Sequence, residues 1–429
     1  MSKPNFIIIY ADDLGYGDLG CYGSKEIQTP YLDKLADSGV RFTDWYSNAP
    51  VCSPSRASLL TGRYPGNTGV NQILGGKRGT HGLPTNQLTL ASVLKEHGYN
   101  TGIIGKWHLG VTKEHGPNAH GFDQFFGFLA GCVDYYSHIY YWGKQSEENP
   151  VHDLWENEEE VWCNGRYLTE VITEKSVQFI KESNEDPFFL YIPYNAPHYP
   201  MHAPQKYMDR YTHLSTDKQV MAAMISAMDD GIGEIVNTLK KTNKYKNTVI
   251  FFSSDNGPST ESRNFLDGTE DLYYGGSAGL FRGHKGSLFE GGIREPAILS
   301  GPSLIPQGQV CHKVGMMMDV FPTFLELAEL TVPEGHEMDG SSIYKMIHEK
   351  KAQAHEQVFW KYNNQLAIRQ GKWKLVINGM LDFSREQVDS IHLSNLAEDP
   401  SERHNLADHY PEIVQALTIK MKNKQTNNT

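Results

Sequence analysis

Cysteine is scarce in this chain: Cys21, Cys52, Cys132, Cys163 and Cys311 are the five present in 429 residues. They are too scattered for a disulfide scaffold, and no Cys-x-x-Cys pair offers a zinc site. Long apolar runs are missing too, since none approaches the ~18 residues that a membrane span needs. The opening MSKPNFIIIY enters an apolar strand too early to hold a secretory leader. The expectation is a soluble protein with no membrane partner, cytoplasmic as it reads, and periplasmic or secreted if a leader was trimmed. Basic runs are absent as well, and 39 basic against 51 acidic residues give a net charge of −12. That balance argues against nucleic acid as a partner, so an anionic ligand has to be met by a local basic pocket.

What is present is an alternation of short apolar runs and helical stretches. NFIIIY (5–10), TGIIG (101–105), PFFLYIP (187–193) and TVIFFSS (248–254) are nearly continuous in apolar character, as strands buried on both faces of a parallel sheet are. TPYLDKLADSG reads as a helix with Thr29 as cap, Pro30 at its first position and Gly39 as stop; TLASVLKEHG ends similarly at Gly98, and 215–241 reads as one long helix. From about 346 onward EQVFWKY, NQLAIRQ and GKWKLVI suggest a small antiparallel sheet, followed by the helix YPEIVQALTIKMKN and a polar tail expected to fray. The fold expected is α/β: a large mostly parallel sheet flanked by helices over 1–345, with a small C-terminal α+β subdomain containing an antiparallel sheet over 346–429.

Each apolar strand runs into polar residues at its carboxyl end: Asp12 and Asp13, then Lys106 and His108, then His198, then Asp255 and Asn256. In open α/β sheets the ligand crevice lies outside those ends. Asp12, Asp13, Asp255 and Asn256 offer only oxygen, which suits a hard divalent cation, Ca²⁺ or Mg²⁺, better than zinc. Either acidic pair alone could serve a turn, because Asp caps turns and Asn-Gly is itself a turn signal. Their position at equivalent strand ends is what suggests a site. The basic candidates are Arg56, Lys106, His108, His198 and Lys285, and their convergence carries the argument, since any one of them taken singly reads as a surface or loop residue.

Cys52 stands where VCSPSRASLL begins a helix, and backbone N–H groups there favour an anion. A buried structural thiol and an unmodified thiolate nucleophile are both open readings of that position. The surrounding motifs narrow them. C-S-P-S-R at 52–56 resembles the maturation signature C-x-P-x-R of type I sulfatases, and GIIGKWHLG at 102–110 resembles the second signature of that family. ADDLGYGDLG, NAPHYP, SSDNGP, GHKGSLFEGGIREP and LSNLAEDPSERHNLA are similar to further family segments in the same order, so the resemblance spans nearly the whole chain.

The resemblance implies an alkaline phosphatase-like fold and conversion of Cys52 to Cα-formylglycine by a formylglycine-generating or anaerobic maturation enzyme. It implies that Asp12, Asp13, Asp255 and Asn256, with an oxygen of modified residue 52, hold a cation, Ca²⁺ with Mg²⁺ as the alternative. It also implies roles for the basic group: Arg56 braces residue 52, His108 is the base, and Lys106, His198 and Lys285 bind sulfate, the last two also assisting the leaving oxygen. The segment GLP…LTLASVLKEHGYNTGIIGKWHLG is similar to the arylsulfatase A and N-acetylgalactosamine-sulfatase branch. The expected substrate is therefore a sulfated galactose-type unit at the end of a glycan. Tyr135, Tyr136, His138, Tyr140 and Trp142 could form a sugar-stacking wall or simply be core. Lys77, Arg78 and His81 could read a further anionic group or form an exposed loop. Two other functions stay open: a phosphonate or phosphate ester hydrolase of the same superfamily, and a non-catalytic sulfoglycan-binding protein if Cys52 stays unmodified.

Overall fold

The structure is a computed structural model, and it describes residues 3–140, 150–261, 274–349, 352–382 and 387–426. Trp142 and the first part of the Gly- and Tyr-rich insertion at 267–280 lie outside the described residues. Seven strands form the body of the main sheet: β1 (Asn5–Ala11), β2 (Gly39–Tyr46), β3 (Asn100–Lys106), β4 (Gln124–Phe128), β5 (Phe188–Pro193), β6 (Thr248–Ser254) and β7 (Arg294–Ser300). Across the sheet they run β2-β7-β6-β1-β5-β3-β4, with short strands extending both edges.

β6, β1, β5, β3 and β4 are mutually parallel, whereas β7 is antiparallel to both β6 and β2. The sheet is thus mixed, with a parallel centre. β2, β4 and β7 are not legible as strands in the sequence because RFTDWY, QFFGF and REPAILS carry charged or small residues between their apolar positions.

The continuous apolar character of β1 follows from burial on both faces. Ile7, Ile9 and Ala11 enter one core with helices Pro30–Asp37, Leu168–Glu182 and Thr216–Lys241. Phe6, Ile8 and Tyr10 enter the opposite core with helices Cys52–Thr61, Leu90–Glu96 and Val320–Leu327. Thr89 caps its helix, with its side chain accepting from Ser92 N. Thr29 does not: its hydroxyl donates to Asp33 Oδ1, and the free N–H groups of Tyr31 and Leu32 donate instead to Asp229 on the long helix. A cap supplied by a distant helix replaces the local one.

A separate four-stranded antiparallel sheet follows: β8 (Gln357–Tyr362), β9 (Gln365–Gln370), β10 (Trp373–Met380) and β11 (Gln387–Asn395). The fourth strand was not expected from the sequence. Helix Pro411–Thr426 covers one face through Leu417 and Met421, and it continues past the point where fraying was expected. The other face meets the main body at a fully buried charge cluster. There Lys374 Nζ lies 2.8 Å from Glu290 Oε1 and 3.2 Å from Glu402 Oε1, and Arg294 reaches Glu290 Oε2 at 2.9 Å. Removing one member of such a cluster strands the others in a medium that cannot solvate them. Lys374→Ala is therefore expected to lower unfolding stability by about 3–5 kcal/mol; an unchanged urea midpoint would show that water reaches the cluster.

Candidate active site

The site is assembled by strand register. β1 and β6 pair in parallel so that Ala11 lies opposite Ser254, and the residues that follow each strand meet at the same rim. Asp255 N donates to Ala11 O, and Asp13 N donates to Asp255 Oδ1 at 3.1 Å. Asp13 takes a left-handed turn at φ 63°, and Asn256 Nδ2 reaches its Oδ1 at 2.7 Å. All four expected oxygen ligands are fully or almost fully buried.

Buried carboxylates need nearby positive charge. Arg56, on the helix that starts at Cys52, donates from Nη2 to Asp255 Oδ2 at 2.6 Å and lies 3.2 Å from Asp12 Oδ1. Lys106, the last residue of β3, spans both oxygens of Asp12 at 2.7 and 2.9 Å. Lys285 lies 3.0 Å from Asp13 Oδ2, 2.9 Å from Glu261 Oε2 and 3.4 Å from His198 Nε2. Burial alone would raise the Asp12 carboxyl, but Lys106 and Arg56 outweigh it and hold it below the usual range. Burial pushes Asp13 up to about 7 despite Lys285, with Asp12 and Asp255 adding to the rise. Three cations thus face four carboxylates, counting Glu261, and a divalent ion would reverse the sign of the site.

The residues present fit such an ion. Single donor atoms of Asp12, Asp13, Cys52 and His198 lie within 4.8 Å of one another, and Asn256 Oδ1 is buried with no hydrogen-bond partner. An orphaned buried carbonyl of this kind is costly unless something else satisfies it. Asp255 is not among those four donors, and its two oxygens are engaged by Asp13 N and Arg56.

Cys52, 1% exposed, lies in the first turn of its helix on the wall of a cavity of about 190 Å³. Its thiol donates to Asp12 Oδ1 at 3.6 Å. Burial, and then Asp255, push the thiol well up. His108, His198, Lys285 and the unforeseen Glu261 and Cys132 line the same cavity.

The two histidines are held in defined states. His108 Nε2 lies 2.9 Å from the Leu74 carbonyl, which can only accept, so Nε2 carries the proton and Nδ1 is an unpartnered acceptor among the described residues. His198 Nδ1 lies 2.8 Å from Tyr199 O, which leaves Nε2 with a lone pair toward Lys285. Burial lowers both rings well below the usual histidine range, with Lys106 next at His108 and Lys285 next at His198. Gly131 lies against the His108 ring, where a Cβ would come within 2.8 Å of it.

The expected aromatic wall divides. Tyr140 lines the cavity and accepts from Gly76 N through its hydroxyl. Tyr135 is core, its hydroxyl donating to Asn195 O and His198 O and so bracing the His198 loop. Tyr136 packs on Tyr167 and His202, and His138 is buried against Arg166 O. Arg78 is exposed beside Glu160, and the His81 ring lies tilted against His115; neither lines the cavity. Glu261 was missed because nothing in PSTES marks a glutamate that a turn returns to Lys285.

A wide α/β sheet with acids, an amide and cations buried beyond its carboxyl ends defines an ester hydrolase of alkaline phosphatase-like fold. Residues 4–330 match the sulfatase family model, and 276–427 match that of the N-sulphoglucosamine sulphohydrolase C-terminal region. The chain belongs to the sulfatase family. It is similar to arylsulfatase J of Mus musculus, 34% identical over 98% of this chain and 75% of the relative. N-acetylgalactosamine-6-sulfatase of Homo sapiens is 33% identical over 95% of this chain and 78% of that protein. The crystal structure of Ps i-CgsB aligns with a TM-score of 0.87 at 33% identity, covering 100% of this chain and 94% of that one, and the same protein has been solved with k-i-k-neocarrahexaose.

A cation bound to the folded chain alone stabilises it by mass action, by about 2.7 kcal/mol at a hundredfold excess over Kd. Adding Ca²⁺ is expected to raise Tm and chelator to reverse the rise. In Asp255→Ala, which leaves Arg56 with a partner short, Tm falls and the Ca²⁺ response shrinks. An undiminished response in the variant would remove Asp255 from the metal group.

Proposed function

We propose that this sulfuric ester hydrolase is an exo-acting carbohydrate sulfatase for a galactose or N-acetylgalactosamine type glycan, working with Ca²⁺ and with residue 52 as formylglycine. The observation that carries the reading is the placement of Cys52: buried at a helix N-terminus, against Asp12, in a small cavity that also holds His108, His198 and Lys285. The names of the relatives support the sugar class, since one is an N-acetylgalactosamine-6-sulfatase and another protein binds a neocarrahexaose.

When formed, formylglycine supplies a hydrated aldehyde whose hydroxyl is the nucleophile toward sulfur. Asp12, Asp13, Asp255 and Asn256 are the residues that would hold the cation, which supplies positive charge beside that hydroxyl. Arg56 fixes Asp255 and Asp12 from beneath and so braces the site. With the carboxylate oxygens engaged by a cation, Lys106 and Lys285 keep their charge for the sulfate oxygens. That matters because a sulfate ester stays ionised at ordinary pH and cannot be neutralised by the solvent.

His108 is the base for a proton on residue 52, since its Nδ1 is the available lone pair. Lys285 and His198 lie together in the same cavity, and a proton passed from the ammonium through this pair reaches the departing oxygen. The small cavity favours one terminal sugar over the interior of a polymer. Residues 1–345 form the catalytic domain and 346–429 a subdomain, and a maturation enzyme is the partner that converts Cys52.

Small sulfate esters, 4-nitrophenyl sulfate and N-acetylgalactosamine 6-sulfate, are the expected substrates in a sulfate-release assay, ahead of 4-nitrophenyl phosphate. Preference for phosphate would favour the phosphoesterase reading. His198→Ala and Lys285→Ala should each cost about 10²-fold or more in kcat, as removal of a transition-state donor does; a change confined to KM would reduce them to binding groups. Cys52→Ser retains one hydroxyl and has no second to complete release. It should turn over at most once and leave one sulfo group on its peptide, visible by mass; repeated turnover at the parental rate contradicts the role given to residue 52.

A further inference from the structure

The segment that carries Lys285 has no helix or strand of its own between 281 and 289, yet residues 285–289 are all buried. Buried backbone N–H and C=O groups need partners, and here no ladder supplies them. The main body gives two: Lys285 N donates to Pro258 O at 2.9 Å and Gly286 N to Pro50 O at 2.8 Å. Others come from the C-terminal region. Arg282 Nη1 donates to Glu402 O at 2.9 Å, His284 N to Leu381 O at 2.8 Å and Glu290 N to Glu402 Oε2 at 2.6 Å. Gly286 and Leu288, which lie between, are both held by the side chain of Gln365. Every second residue from Arg282 to Glu290 is thus tied to the C-terminal region, and from the middle of that run Lys285 reaches Asp13, Glu261 and His198.

Gln365 is fully buried at the first position of β9, just after the turn at 363–364. Its Nε2 donates to Gly286 O at 2.7 Å, and its Oε1 accepts from Leu288 N at 3.2 Å and from Met380 N at 3.1 Å. Met380 belongs to β10, so the amide oxygen is fixed on the C-terminal sheet as well as on the segment it holds. Three backbone groups from two segments close on one side chain. A carboxamide suits them because it joins a donor to an oxygen that accepts twice. Glutamate would keep the oxygen and lose the donor, and methionine would have neither. The ammonium of Lys285 sits on a flexible four-carbon stem, so its position depends on where the backbone beneath it is fixed.

We propose that Gln365 is a positioning residue for the reaction: by clamping Gly286 O and Leu288 N it fixes the backbone beside Lys285, so that the ammonium stands against His198 Nε2 where the leaving oxygen departs. Its role rests on the part given to Lys285 in the proposed function and adds what holds that lysine in place. A misplacement of about 1 Å at a reacting group can cost about 10²-fold in rate. Gln365 is absent from the lining of the Cys52 cavity and acts through the lysine alone.

The test compares the full matured chain with Gln365→Met, Lys285→Ala and the double variant in sulfate-release assays. Gln365→Met is expected to lower kcat for N-acetylgalactosamine 6-sulfate about 10-fold or more. For 4-nitrophenyl sulfate, whose phenolate leaves with less help from a proton, the loss should stay below about 3-fold. In the Lys285→Ala background, adding Gln365→Met should change kcat less than about 2-fold, because the lysine it serves is already gone. A residue that only holds the fold together would slow both substrates alike and both backgrounds alike, and either result overturns the assignment. Gln365→Glu has nearly the same size, keeps the two accepting bonds and removes only the donor to Gly286 O. It should show the same leaving-group dependence and carries the test if the methionine variant does not fold; failure of both to fold makes Gln365 a folding determinant and overturns the positioning role. Sulfate release by the unsubstituted chain is read separately. Its absence overturns the proposed function, a parental rate in Lys285→Ala removes the role of that lysine and of Gln365 with it, and equal losses with and without Lys285 overturn the role of Gln365 alone.

Discussion

The constraint on which this structure turns is the burial of three aspartates at one point. Parallel pairing of β1 with β6 ends both strands at the same level, so Asp12, Asp13 and Asp255 are delivered together and sealed from water. Two like charges about 4 Å apart repel by roughly 4 kcal/mol at the effective dielectric of a protein site. The arrangement holds only if cations are fixed beside them. Arg56, Lys106 and Lys285 come from a helix, a strand end and a turn, and each places nitrogen within 3.0 Å of an aspartate oxygen.

Those placements explain features remote from the reacting centre. The helix Cys52–Thr61 is buried along its full length, packed among the sheet and neighbouring helices, which fixes both Cys52 and Arg56. The turn carrying Lys285 has little regular structure of its own. It is held by Gly286 N on Pro50 O, by Gln365 from β9 and by the Glu290–Lys374 cluster. The C-terminal sheet is thus part of what positions a site residue.

Electrostatics then divides labour among similar side chains. His108 and His198 are both buried, but opposite ring nitrogens are tied to backbone carbonyls, leaving Nδ1 available in one and Nε2 in the other. Lys285 keeps its proton because burial, which opposes the charge, is outweighed by Asp13 and the other anions around it. A buried, unpartnered ring nitrogen and a buried ammonium therefore share one cavity.

The sequence by itself determined the pieces whose information is local. Continuous apolar runs announced strands with two buried faces, and Pro30 and Gly98 marked helix ends. Polar residues directly after apolar strands placed Asp12, Asp13, Lys106, His108, His198, Asp255 and Asn256 at one rim, and the motifs around Cys52 carried the family. What only the tertiary structure decided is nonlocal. Asp229 caps a helix almost two hundred residues away in the chain, and β7 enters the sheet against the parallel direction. Glu261 joins Lys285, while Tyr135 turns into the core and Tyr140 into the cavity. No short-range pattern encodes these outcomes, because each is settled by which buried charge or hydrogen-bonding group must find a partner once distant segments pack.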